Sequence, residues 1–212
     1  MSDRGQAHTL EGVMAAMLVV IAVVFAYQAI VLTPTTAGTV DRDVKSHLGT
    51  RAGDVLTAAS SDGSLSAILR YWNVSGNNGT GSFVGTPKSA SAGLGYQITT
   101  PPGQFGELLT ALTEDGYVVN VYLETRDPED PSSTNRYVLI KRGEPTGNAA
   151  VAARTVTLYD HQYQTQLGAP GSNTLVADEK SNRIGELGGD DYFAGDLPGP
   201  VYNVVTVKVV VW

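Results

Sequence analysis

From Gly12 to Leu32 the chain runs through 21 residues without one charged side chain, and Tyr27 and Gln28 hold the only clearly polar groups in the run. An α-helix rises about 1.5 Å per residue, so this stretch would span roughly 31 Å, the thickness of a bilayer's hydrocarbon core. A segment this apolar does not stay in water; lipid or protein must cover it. A secretory signal peptide would carry a shorter apolar region and an Ala-x-Ala-like site. Here the run is longer, and the best candidate site, Thr35-Thr36-Ala37, is a poor one. The segment is therefore expected to stay on the protein, as a transmembrane or filament-core helix over residues 6–33. Arg4 and the α-amine on its N-terminal side favour a cytoplasmic start, which places the C-terminal bulk outside.

The flank carries finer information. Arg4-Gly5-Gln6 precedes Ala7-His8-Thr9-Leu10-Glu11, and the apolar run begins at once. This order resembles the class III signal peptide of archaeal prepilins and archaellins. RGQAHTLEG is also similar to the start of uncharacterised haloarchaeal pilin-like membrane proteins, and ILRYWN, GYVVNVY and RTVTLYD are similar to segments of the same proteins. The resemblance implies that a prepilin peptidase cuts between Gly5 and Gln6, removes residues 1–5 as a leader and leaves the apolar helix on the mature chain. Bacterial pilins place a Glu five residues after the cut, whereas Glu11 would be the sixth. Two roles stay open for Glu11. It pairs with a neighbouring subunit's amine in a filament core, where an unpaired charge is costly, or it sits at headgroup level near a helix N-terminus, favoured by the macrodipole. Gly12 and Ala16, and Ala22 and Ala26, have the spacing that lets helices approach closely in lipid.

Beyond Pro34, which ends or bends a helix, Val40, Val44, Leu48, Ala52, Val55, Leu56 and Ala59 share one helical face. Leu65, Ile68, Leu69 and Trp72 repeat as a short amphipathic helix. Residues 34–72 are therefore expected to form a helical stalk. Residues 73–103, rich in Gly, Ser and Asn, read as a loop carrying two glycosylation sequons, at Asn73 and Asn78. Residues 104–212 read as an extracellular β-rich head. It opens on a helix through Phe105, Leu109 and Leu112 that is closed by Gly116. Strands follow at Tyr117–Glu124, Tyr137–Lys141, Ala150–Asp160 and Val201–Trp212, the second and third joined as a hairpin by the turn at Gly143–Asn148. In the last strand Val205, Val207, Val209 and Val211 face in. The expected fold class is α+β: a long N-terminal transmembrane helix, then a helical stalk, then antiparallel β-sheet with helices packed on one face.

Charge and chemistry narrow the function. With 14 basic against 21 acidic residues the net charge is −7, a surface that repels nucleic acid. The basic residues are mostly Arg, and acidic, lysine-poor proteins suit halophilic conditions, where salt screens carboxylate repulsion. There is no cysteine, so disulfides, thiol catalysis and Cys metal sites are excluded. His8, His47 and His161 have no metal-ligand spacing, and no nucleophile elbow is present. The acidic clusters at Asp127–Pro131 and Glu186–Asp196 could supply oxygen ligands to calcium but lack EF-hand spacing. No enzyme activity, cofactor or metal is expected. The reading is a membrane-anchored, pilin-like cell-surface structural protein, a minor subunit of a type IV pilus-like filament. Its partners are the lipid bilayer, prepilin peptidase and other pilin-like subunits. The alternative is a bitopic extracellular receptor or solute-binding module that does not polymerise. Either way the localisation is the cell membrane, single-pass, with the C-terminal domain extracellular.

Overall fold

A computed structural model describes residues 11–24, 35–77, 80–86, 95–96, 99–130, 132–187 and 191–212. The chain divides into two compact units, Met1–Val44 and Lys45–Trp212. In the first, residues 11–24 are helical (α1). The long transmembrane helix expected over 6–33 is not borne out: among the described residues no helix is long and apolar enough to cross a membrane. Residues 11–24 would extend about 21 Å, against a hydrocarbon core of about 30 Å, and residues 25–34 lie outside the described residues. The longest helix, α2 (Thr35–Ser61), carries Arg42, Asp43, Lys45, Arg51 and Asp54 and is no candidate.

The α+β character is present in the second unit. From Lys45 onward α2 buries Leu48, Ala52, Leu56 and Ala59, one side chain per turn. Gly63, at φ 78°, turns the chain into α3 (Ser64–Leu69), which buries Leu65, Ile68 and Leu69. The last carbonyls of α3 have no helical partner and are met from elsewhere. Thr165 Oγ1 donates to Ala67 O at 2.7 Å, and Tyr192 Oη donates to Leu69 O at 2.7 Å. The Arg70 guanidinium, pulled below its usual range by burial, donates to Tyr163 O at 2.6 Å. Helix α4 (Gln104–Glu114) buries Phe105, Leu109 and Leu112 and is followed by Gly116 at φ 88°, as a left-handed C-terminal stop requires.

These helices share a core with strands β3 (Val119–Arg126), β4 (Thr134–Ile140), β5 (Ala150–Tyr159) and β8 (Val201–Val211). The strands form one antiparallel sheet in the order β4-β3-β8-β5. Val205, Val207, Val209 and Val211 are fully buried, in register with the core-facing residues of β3: Val211 opposite Val119, Val209 opposite Val121, Val207 opposite Leu123. The expected hairpin between β4 and β5 does not exist, because those strands lie on opposite edges. The segment between them crosses β3 and β8, three strand spacings or about 14 Å, a distance nine residues cover easily. Buried Asn120 holds that crossing in place, accepting from Arg142 N at 2.8 Å and donating to Gly143 O at 2.8 Å.

The stretch 73–103 is not simply loop. β1 (Trp72–Asn77) and β2 (Thr80–Phe83) pair antiparallel, and Tyr96 bridges Ile140 in parallel. A second ribbon pairs β6 (Thr165–Leu167) with β7 (Leu175–Ala177).

Candidate functional site

The residues singled out in the sequence fall in different places. Gly5 and Gln6, the expected cleavage pair, and Asn78 lie outside the described residues. Glu11 is described: it is helical and exposed. It heads a stretch in which Val13, Met14, Met17, Leu18, Val19, Val20, Ile21, Val23 and Val24 are each 50–68% exposed. Successive helical residues are 100° apart, so Met17 to Val20 alone face four directions around the axis. A helix that is apolar all round is ordinarily a buried one. A Cβ built on Gly12 would meet nothing within 4 Å, which leaves room for another backbone to come close on that side.

Asn73 is exposed on β1, opposite Ser82 on β2. The strand is pinned beside it by Trp72, whose indole Nε1 donates to Asp191 O at 2.6 Å. The Trp72 ring meets Phe83 edge-on at 5.0 Å and Tyr192 at 5.4 Å. Gly81 is required here, because a Cβ would lie 2.4 Å from Trp72 Nε1 and 2.6 Å from Asp191 O. The hairpin that carries the first sequon is thus fastened to the segment around Tyr192 by an aromatic cluster.

On the outer face of the sheet a recess of about 300 Å³ is lined by Glu124, Arg126, Thr134, Thr155, Val204 and Thr206, among others. Lys208 Nζ lies 2.6 Å from the Glu124 carboxylate and neutralises it. What remains is mostly hydroxyl-bearing, threonines and Ser132, with Val204 and the Arg126 guanidinium. His47 is exposed on α2, and His161 is exposed with its ring 5.7 Å from that of Tyr159. Among the described residues no group of three or more His, Asp or Glu side chains could hold a metal ion. In the Asp127 cluster the carboxylates cap their own turn: Asp127 Oδ1 accepts from Glu129 N, and Asp130 Oδ1 from Ser132 N and Oγ. Those hydrogen bonds hold Asp130 below the usual carboxylate range.

A family model described as a family of unknown function (DUF7288) matches residues 4–211. The chain belongs to that family. The match runs from Arg4 to Val211 and so takes in both the apolar segment and the head. No curated protein matches the chain, and no solved structure does.

Sequence reasoning missed two arrangements. One is the anchoring of β1 by Trp72. The other is the approach of Asp160, at the end of β5, to the segment carrying Asp191 and Asp196. Neither has a local signal, because the partners are separated by more than 30 positions.

Proposed function

We propose that this DUF7288 protein is a pilin-like cell-surface structural subunit. It assembles through the apolar N-terminal helix and presents the Lys45–Trp212 unit outward, with the leader removed between Gly5 and Gln6. The observation that carries the reading is α1, with nine large apolar side chains exposed on every side. Burying one such side chain is worth about 1.5–3 kcal/mol, so the helix strongly favours surroundings that cover its whole circumference. A bundle of like helices from neighbouring copies does that, and the small residues Gly12, Ala15 and Ala16 permit close approach. The order of residues 4–11 supports the same reading through its resemblance to prepilins, as does the single family pattern spanning helix and head. Glycosylation at Asn73 or Asn78 would fall on the outward unit.

The test is recovery of the protein in sheared surface material, together with the mass of its N-terminal fragment. Wild type should run as high-molecular-mass assemblies starting at Gln6. Leu18→Glu, which places a charge in the helix, should release subunits whose head melts at the wild-type temperature. A wild-type chain recovered only as monomer, or a Leu18→Glu variant that assembles normally, overturns the reading.

A further inference from the structure

On the outer face of the sheet, three strands set a row of side chains directly opposite one another. Glu124 on β3 stands opposite Thr206 on β8, and Thr206 stands opposite Thr155 on β5. Neighbouring strands lie about 4.8 Å apart, so the row runs for about 10 Å. Side chains two residues apart along a strand share a face. Arg126 therefore stands beside Glu124, and Val204 beside Thr206, while Thr134 on β4 lies opposite Arg126. Together with Ser132 from the β3–β4 connection they line the recess of about 300 Å³. That volume is at the lower end of small-molecule sites.

The charges on this face are spent, except for one. Lys208 Nζ lies 2.6 Å from the Glu124 carboxylate and neutralises it. Arg136, opposite Glu124 on β4, holds its guanidinium 3.9 Å from the centre of the Tyr122 ring. The carboxylates of the β3–β4 connection cap their own turn, Asp127 on Glu129 N and Asp130 on Ser132. The Arg126 guanidinium makes no hydrogen bond or ion pair among the described residues. In a chain of net charge −7, the recess thus holds one unspent cation beside a set of hydroxyls. Thr155 Oγ1 and Thr206 Oγ1 are 3.5 Å apart, at the limit of a hydrogen bond, so both are free to turn to a guest. Each hydroxyl donates and accepts, and Val204 offers a small apolar patch between them.

We propose that this recess binds a sugar acid, a polyhydroxylated ligand of monosaccharide size with one carboxylate. Arg126 takes the carboxylate, and Thr134, Thr155 and Thr206 take the ring hydroxyls. This is independent of assembly through α1. A guanidinium pairs a carboxylate through two parallel N–H···O bonds, and one unpaired guanidinium matches one negative charge. The hydroxyls match a ligand that itself carries hydroxyls, and Val204 meets the C–H face of its ring. Arg126 is exposed, so water and salt compete for it, and the affinity is weak, with a dissociation constant of about 1 mM.

The full chain in detergent micelles tests this by saturation-transfer NMR, with glucuronate, glucose and acetate as probes at one fixed salt concentration. Glucuronate should saturate near 1 mM, and glucose and acetate, each offering half of the contacts, should bind at least about tenfold more weakly. Arg126→Gln should weaken glucuronate about tenfold or more and abolish its advantage over glucose, while melting at the wild-type temperature. Thr155→Val and Thr206→Val, which keep the shape and remove a hydroxyl, should each weaken glucuronate about threefold. Arg154→Gln is the control for unspecific charge, because Arg154 is exposed on β5 opposite the core-facing Val207 and lies on the other face; it should change nothing. The proposal is overturned if glucuronate does not bind below about 10 mM, if glucose or acetate binds as tightly, if Arg126→Gln keeps the wild-type affinity, or if Arg154→Gln weakens binding as much as Arg126→Gln.

Discussion

The C-terminal strand offers the sharpest test of how this fold is held. Val209 is fully buried between Val121 on β3 and Ala152 on β5. One residue earlier, Lys208 points to the other face of the sheet, its Nζ 2.6 Å from the Glu124 carboxylate, with a side chain 36% exposed. Val209→Ala removes two methyl groups. Their transfer is worth about 0.8 kcal/mol each, and the incompletely collapsed cavity adds to that, for a total of about 2–3 kcal/mol. Lys208→Ala removes one partly exposed ion pair, worth about 0.5–1 kcal/mol. Val209→Asp puts a carboxylate among valines with no cation opposite it. That penalty is of the order of a whole domain's stability, about 5–15 kcal/mol, so cooperative unfolding should disappear. Val207 is a poorer site for the acid, because Arg154 stands opposite it on β5 and could pair with the new charge. Urea unfolding followed by tryptophan fluorescence reads the result directly: Trp212 closes the strand through paired backbone hydrogen bonds with Val118 at 2.9 and 3.1 Å. Equal costs for Val209→Ala and Lys208→Ala, or a larger cost for the lysine, would refute both the inward face and the central position of β8.

The same substitution should have opposite signs at two helical glycines. Gly53→Ala in α2 meets nothing within 4 Å and should stabilise by about 0.5–1 kcal/mol in a urea melt through helix propensity. Gly106→Ala in α4 would set a Cβ 1.7 Å from Pro101 O and should instead destabilise by about 2–3 kcal/mol, because a backbone carbonyl must move. Burial pushes the hydroxyls of Tyr96, Tyr192 and Tyr202 above their ordinary value of 10.0, with smaller contributions from neighbouring groups. Above pH 10 the unfolded chain therefore loses protons that the native state keeps, so stability present below pH 10 falls as pH rises beyond it. Absorbance at 295 nm should show these three of the ten tyrosines ionising only together with unfolding.

Periodic segments were legible in the residues themselves. The alternating valines of β8 face the core as their spacing requires, because a period of two leaves only one choice of face once four valines share it. Leu48, Ala52, Leu56 and Ala59 mark their helix for a similar reason: an exposed apolar stripe would cost more than any alternative pairing. The lack of cysteine and the net negative charge are likewise properties of composition that no fold can alter. What the tertiary structure decided is which periodic segments meet. A tight turn after β4 looked like a hairpin, yet β3 and β8 claim the centre of the sheet because they carry the most continuous apolar faces, and the turn becomes a crossing held by Asn120. β1 was hidden in a polar, glycine-rich stretch because its stability comes from Trp72 packing on residues more than a hundred positions away. The full span expected of the apolar run is not found among the described residues, which leave out residues 25–34. The acidic cluster Glu186–Asp196 was legible in the sequence, but its neighbourhood with Asp160 was not, because Asp160 stands more than 30 positions before Asp191 and Asp196 and only the folded chain draws the segments together.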